Sequence, residues 1–338
     1  MFIIGVDPHK ASHTAAVLDR DEQLVGEVRV RADRSQRDRL LEFAAPFQPR
    51  TWAIEGATGT GALLAQQLVA VGEAVVDVPP KLSARVRLLA TERSDKTDAF
   101  DARSAAVVAL RHRSLRPVAA EDHAAVLRVL AKRHHDLAAQ RTRVVCRLHA
   151  VLCQLVEGGL TRDLTANKAA AVLRRIRAGT AVAAERRRLA VELLSELRRV
   201  DTELTSLRHR TRDAVAASST TVTEIFGVGP TMAAYLIGYS GDIRRFPTAG
   251  HYARYNGTAP IEASSGERIR HRLNPRGNRQ LNHALHIAAV TQIRNKTPGR
   301  AYYDHKLAEG KTRKEALRAL KRRISDAAYR QLLADTTR

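Results

Sequence analysis

The sequence predicts an α/β domain that leads into an all-α remainder. Three observations carry this. The first 80 or so residues hold five short apolar runs, and the first three follow one another with only turn residues between them. Two long stretches free of Pro and Gly, 121–157 and 182–216, repeat apolar residues at helical spacing. The last hundred or so residues mix Gly, Pro, Tyr and basic residues around short helical patterns.

Taken in order, Phe2-Ile3-Ile4-Gly5-Val6 is an apolar run that ends in Asp7, and 13–19 and 24–30 read as further strands, so the start is a β-meander. A charged helix is expected near 34–46. Thr51-Trp52-Ala53-Ile54-Glu55 is a fourth strand, Gly56 and Gly59 turn the chain into a helix at 60–72, and 74–78 is a fifth strand closed by Pro79-Pro80. Helical pattern resumes at 81–91 and 98–112. The order βββαβαβα is that of an RNase H-like domain, because a doubly wound sheet would follow every strand with a helix. Gly158-Gly159 break the first long helix, a less regular helical segment covers 160–180, and the second long helix completes an antiparallel pair, a spacer or dimerisation arm of coiled-coil type. After Ser218-Ser219 the texture changes. The expected division is 1–115 for the α/β domain, 116–218 for the helical arm and 219–338 for a compact, mainly helical domain.

The 338 residues hold 57 Lys+Arg against 35 Asp+Glu, a net charge of +22. Residues 1–100 sum to −1, residues 101–260 to +12 and residues 261–338 to +11. A near-neutral domain followed by a strongly basic remainder suits a polyanion, and nucleic acid is the common one. Arg outnumbers Lys 47 to 10, which a GC-rich genome produces by itself, but that bias does not explain the excess over acids. With 44% hydrophobic residues the chain is not wholly disordered. No apolar run is long enough to cross a membrane, and the N-terminus lacks the basic lead of a signal peptide. Cys146 and Cys153 are seven residues apart on a predicted helix, about 10 Å, too far for a disulfide. A reducing cytoplasm is the expected compartment.

Four carboxylates fit one site. Asp7 ends the first strand and Glu55 the fourth, which are neighbours in an RNase H-like sheet, and Asp98 and Asp101 share a helix face at i and i+3. Oxygen ligands gathered this way suit Mg²⁺, and two ions about 4 Å apart serve phosphodiester chemistry. Asp19, Asp77 and Asp95 are nearby decoys, and His9 reads as a solvated turn residue. Gly227-Val228-Gly229 has the form of a helix-hairpin-helix turn that offers N–H groups to a phosphate, or of a plain αα turn. The region from Gly257 to Leu281 holds Ser264-Ser265-Gly266 beside Arg268, Arg270, Arg272 and Arg276. The arginines read as a phosphate-binding surface. From the residues alone the serine is either a loop serine or a nucleophile.

Ile4-Gly5-Val6-Asp7, Ile54-Glu55-Gly56-Ala57-Thr58-Gly59, Asp95-Lys96-Thr97-Asp98-Ala99-Phe100-Asp101-Ala102, Ile225-Phe226-Gly227-Val228-Gly229-Pro230, Gly257-Thr258-Ala259-Pro260 leading to Ser265-Gly266, and Arg276-Gly277-Asn278-Arg279-Gln280-Leu281 occur in this order. In these pieces the chain resembles the DEDD transposases of the insertion-sequence "one-ten" family, relatives of the Piv/MooV invertases described as bridge-RNA-guided recombinases. The resemblance implies a RuvC-like nuclease domain, a coiled-coil part and a transposase domain with a catalytic serine. It implies metal ligation by Asp7, Glu55, Asp98 and Asp101, with Ser265 as nucleophile and Ser264 as its rival. It also implies DNA exchange through a phosphoserine, with Mg²⁺ as cofactor. The implied partners are donor and target DNA, a structured noncoding RNA, and further copies of the chain in a dimer that assembles to a tetramer. The implied setting is the bacterial cytoplasm at the nucleoid. An aromatic content of only 4% fits contacts made to nucleic-acid backbones. A metal-only RuvC-like junction resolvase and a non-enzymatic nucleic-acid binder are the alternatives.

Overall fold

The computed structural model describes residues 1–90, 97–112, 114–160, 163–262, 271–272, 274 and 277–337. They form two compact units, Met1–Glu121 and Asp122–Arg338.

In the first unit β1 (Phe2–Pro8), β2 (Ser12–Leu18) and β3 (Leu24–Arg31) form the expected meander, and α1 (Gln36–Ala44) follows. Then come β4 (Arg50–Glu55), α2 (Ala62–Val69), β5 (Val75–Val78), α3 (Pro80–Ala90), α4 (Asp98–Arg111) and the two-residue β6 (Arg116–Pro117). The sheet order is β3-β2-β1-β4-β5-β6, with β2 antiparallel to both β1 and β3, and with β4 parallel to both β1 and β5. This is the RNase H-like arrangement that the element order implied.

Side-chain parity decides what each face of this sheet carries. Ile4 and Val6 of β1, with Trp52 and Ile54 of β4, are buried with Leu40 of α1 and Leu64 and Leu68 of α2. Ile3 of β1, Ala53 of β4 and Val78 of β5 are buried with Ala105 and Ala106 of α4. The odd positions of β1 and β4 therefore face α4, and Asp7 and Glu55 are the next odd positions along. Gly5 sits between Ile3 and Asp7 on that face. A Cβ there would lie 2.0 Å from the Ala102 carbonyl oxygen and 2.7 Å from the Ala106 nitrogen. The missing side chain thus lets the backbone of α4 rest directly on β1.

In the second unit α5 (His123–Cys153), α6 (Ala166–Arg175) and α7 (Ala181–Ala217) come first. Asp122, Thr165 and Thr180 cap them, each side chain accepting a hydrogen bond from a first-turn backbone N–H. The helical reading of 160–180 shrinks to α6, which Thr165 caps at its start and the extended Ile176 ends. α5 and α7 run antiparallel, tied by Arg133–Glu203 at 2.7 Å and Arg141–Asp201 at 2.6 Å. Their outer halves form a separate apolar cluster with α6, through Leu148, Leu152, Leu173 and Leu194. Next come α8 (Pro230–Ser240), α9 (Ala249–Tyr255), a small hairpin of β7 (Ile261–Glu262) and β8 (His271–Arg272), α10 (Arg279–Arg294), α11 (Pro298–Ala308) and α12 (Arg313–Asp335). Leu127 and Leu130 of α5 and Leu204 and Leu207 of α7 share one core with Tyr235, Leu285 and Ile324 of these later helices. The long helices and the C-terminal helices are thus continuous in their packing. Among the described residues no helix is long and apolar enough to cross a membrane, and both cysteines are free.

Gly5→Val places a branched side chain where α4 meets β1. It is expected to destabilise the first unit by roughly 3 kcal/mol, the upper end for a core overpacking change. Urea denaturation followed by Trp52 fluorescence, which reports on this unit alone, is the check.

Candidate functional site

β1 and β4 are in parallel register, with Val6 opposite Ile54, so one step further Asp7 lies beside Glu55. Thr97 caps α4 by accepting a hydrogen bond from the Phe100 N–H, and this puts Asp98 and Asp101 in the first helical turn. Carboxylates are favoured there by the helix dipole. With α4 seated on Gly5, that first turn comes down over the ends of β1 and β4. Asp7 and Asp101 are buried, while Glu55 and Asp98 are half-buried. The structure brings all four together. Asp7 feels the charges of Asp101, Glu55 and Asp98.

The electrostatics are those of crowded acids. Burial pushes the Asp7 carboxyl up to about 6, and Asp101, Glu55 and Asp98 push the same way, while His9 opposes them. Asp7 Oδ2 is buried and makes no hydrogen bond. Three nitrogen-bearing side chains lie against these carboxylates. His9 Nδ1 is 3.3 Å from Asp7 Oδ2, and its Nε2 is 3.9 Å from Asp98. Arg29 of β3 lies 3.4 Å from Asp98, and Arg87 of α3 is hydrogen-bonded to Asp101. One ligand atom from each of Asp7, His9 and Asp98 lies within 4.8 Å of the others. A buried carboxylate oxygen that makes no hydrogen bond, set among further carboxylates, fits a hard divalent cation, and His9 adds a nitrogen at the exposed rim.

His9, Arg29 and Arg87 are what sequence reasoning missed. His9 had a signal, since it stands two residues beyond Asp7 in the same turn. Of the decoys, Asp77 is set apart by parity. Val78 belongs to the α4 face, and the Asp77 carboxylate instead accepts the Ala57 N–H at 2.9 Å, bracing the turn after Glu55. Asp19 accepts the N–H groups of Asp21 and Gln23 in its own turn. Asp95 lies outside the described residues.

In the second unit Gly227 has φ +87°, and a Cβ there would meet the Ala288 carbonyl oxygen at 2.7 Å, so its turn packs against α10. Gly229 is the N-cap of α8 with open space around it. The turn is preceded by a short 3₁₀ segment at Val222–Glu224 rather than a full helix. Arg272 lies in β8. Ser264, Ser265, Arg268, Arg270 and Arg276 lie outside the described residues.

Residues 4–157 match the family model of DEDD transposases of the IS110 type, and residues 219–304 match the model described as transposase IS116/IS110/IS902 family. The chain belongs to this transposase family. The insertion element IS116 uncharacterized 44.8 kDa protein of Streptomyces clavuligerus is 28% identical to it, over 97% of this chain and 94% of that protein. The insertion element IS900 uncharacterized 42 kDa protein of Mycobacterium paratuberculosis is 29% identical over the same shares. The insertion element IS110 uncharacterized 43.6 kDa protein of Streptomyces coelicolor is 43% identical over 32% of this chain and 27% of its own length. Among solved structures, Thermus thermophilus RuvC bound to a Holliday junction substrate aligns with 35% of this chain and 99% of its own, at 18% identity and a TM-score of 0.28.

Because Asp7 holds its proton more tightly in the folded chain than in the unfolded one, its contribution to stability is full below its ordinary value of 3.8. That contribution is lost as pH rises through about 6. In chelator-treated protein the loss from this group between pH 4 and pH 7 is expected to be roughly 2–3 kcal/mol. Asp7→Asn should flatten that pH dependence, as read by denaturation midpoints across the range.

Proposed function

We propose that this chain is the transposase of an insertion sequence and that it cuts and rejoins DNA through a covalent phosphoserine. The convergence of Asp7, Glu55, Asp98 and Asp101 at the ends of the two central strands, in a chain of a transposase family, is the observation that supports this reading.

Asp7, Glu55, Asp98 and Asp101 would hold divalent metal, read as two Mg²⁺ ions. When bound, such ions supply Lewis-acid stabilisation of the charge that develops on the departing oxygen. The residues of the chain do the rest. Asp7, whose carboxyl burial and its acidic neighbours push up to about 6, would be held in its ionised form by a cation bound there. Arg87 and Arg29 keep Asp101 and Asp98 oriented. The Ser265 hydroxyl attacks a DNA phosphodiester, forming a serine Oγ–phosphorus bond and breaking the bond to the 3′ oxygen, which leaves as a hydroxyl. A 3′ hydroxyl from the partner strand then attacks the phosphoserine and frees the serine, so the number of phosphodiesters is conserved. Arg268, Arg270, Arg272 and Arg276, and the N–H groups at Gly227 and Gly229, bind backbone phosphates. Target choice is left to pairing with a structured noncoding RNA. The α5–α7 pair joins copies of the chain into a dimer that assembles to a tetramer on donor and target DNA, so that quartet and serine meet at one scissile bond.

Nicked or suicide DNA separates this from a metal-only nuclease. The wild-type chain is expected to give a covalent protein–DNA adduct on a denaturing gel. A well-folded Ser265→Ala variant should give none, with strand exchange down by about a thousand-fold or more. Asp98→Asn should be comparably inactive. Cleavage at the wild-type rate by Ser265→Ala would favour the resolvase reading, and full activity of Asp98→Asn would leave no role for the quartet.

A further inference from the structure

A second basic site lies wholly within the second unit, and its charged residues are not among those assigned above. Gly257 and Gly277 cross backbone to backbone, since a Cβ on Gly277 would lie 2.4 Å from the Gly257 Cα. This crossing, the first turn of α10 and one face of α12 enclose a cleft of about 740 Å³. Among the described residues its charged lining is Arg279, Lys311, Arg318, Lys321 and Arg322 against a single acid, Glu315.

Among the described residues the acids near this cleft are already engaged. Glu315 accepts the Thr312 N–H and hydroxyl in the capping box of α12. Asp326 pairs with Arg322 at 3.0 Å. Among the described residues Arg279, Lys311, Arg318 and Lys321 form no salt bridge to a carboxylate. Lys321 is the unusual one. It is half-buried, and its ammonium donates at 2.5 Å to a neutral acceptor, Asn282 Oδ1. Burial holds its pKa below the ordinary lysine value. A neutral chain keeps it in place. Asn282 Nδ2 donates to the Asn256 carbonyl at 3.0 Å, and the Asn256 amide, fully buried, donates to Ser325 Oγ at 2.7 Å. Ser325 lies one turn beyond Lys321 on α12, so the network closes on the helix that carries the lysine. A half-buried ammonium whose one side-chain acceptor is a neutral amide is a place where an anion gains.

We propose that this cleft binds a backbone phosphodiester of a nucleic-acid strand, with Lys321 as the central contact and Arg279 and Arg318 at its mouth. The proposal rests on the reading of the chain as a nucleic-acid enzyme and adds a binding site to it. A phosphodiester fits the chemistry because it is a compact monoanion that takes several donors at once. Base identity plays no part, so the contact adds affinity without sequence preference.

The test is binding of labelled 20-nucleotide single strands, one DNA and one RNA of the same sequence, to the full chain in EDTA, read by anisotropy across a salt series. Lys321→Gln is expected to weaken binding about five- to thirty-fold and to reduce the slope of log affinity against log salt by about 0.7, the value for one phosphate contact on a single strand. The exposed pair Arg279→Gln/Arg318→Gln should do the same with an unchanged melting temperature, so the answer does not depend on Lys321→Gln folding normally. An effect on DNA alone, on RNA alone or on both assigns the strand that enters the cleft, and each supports the proposal. Unchanged affinity and slope for both strands, in folded variants of a chain that does bind them, overturns the cleft alone. A wild-type chain that binds neither strand overturns the cleft and the proposed function together.

Discussion

Four carboxylates drawn to one end of a sheet repel one another, and the first unit is arranged to hold them there. Asp7 shows the strain most clearly, a buried acid whose carboxyl is pushed up to about 6. Two features keep it in place. The parallel register of β1 and β4 sets Glu55 beside it, and Gly5 lets the backbone of α4 lie on β1, so that the first turn of that helix delivers Asp98 and Asp101. Around them Arg29 and Arg87 supply opposing charge, and the His9 ring lies against Asp7. A site of this kind waits for a cation, and the phosphodiester chemistry proposed for the chain needs one.

Much of this site was legible in the sequence, and the reason is geometric. A carboxylate at the end of an apolar run can be assigned to a strand end, and a pair at i and i+3 to one helix face, so local pattern alone nominated Asp7, Glu55, Asp98 and Asp101. Parity also disposes of Asp77, because Val78 and not Asp77 faces α4. What pattern does not carry is the basic surround. Arg87 reaches Asp101 only through the packing of α3 on α4, and Arg29 reaches Asp98 from β3. His9 sits in a turn, where sequence does not distinguish a solvated imidazole from one held between two acids.

The fold was legible to a similar depth. The meander, the later parallel strands and the two long helices fall close to the expected spans, because each is a strong periodic pattern bounded by turn residues or caps. β6 and the β7–β8 hairpin are two residues per strand, too short to leave a period. α10 and α12 run 16 and 23 residues where short helices were expected, since Ala, Leu and capping by Asn278 and Thr312 outweigh the Gly- and Pro-rich look of the surrounding sequence. The change of texture near Ser218 is real, yet the apolar faces of α5 and α7 continue into the core of the later helices. The basic character of the second unit was plain from composition. That one of its lysines is half-buried against an asparagine was not, because the contact joins residues 39 apart in the chain.

The central claim is that the acidic edge of the first unit holds divalent metal. Binding of Mn²⁺, followed by loss of the free-ion electron paramagnetic resonance signal, addresses it without DNA, RNA or turnover. The expected result is that the wild-type chain takes up the ion at neutral pH and that the double variant Glu55→Gln/Asp98→Asn, folded, leaves it free at the same concentration. Equal uptake by the two proteins, or none by either, would contradict the account.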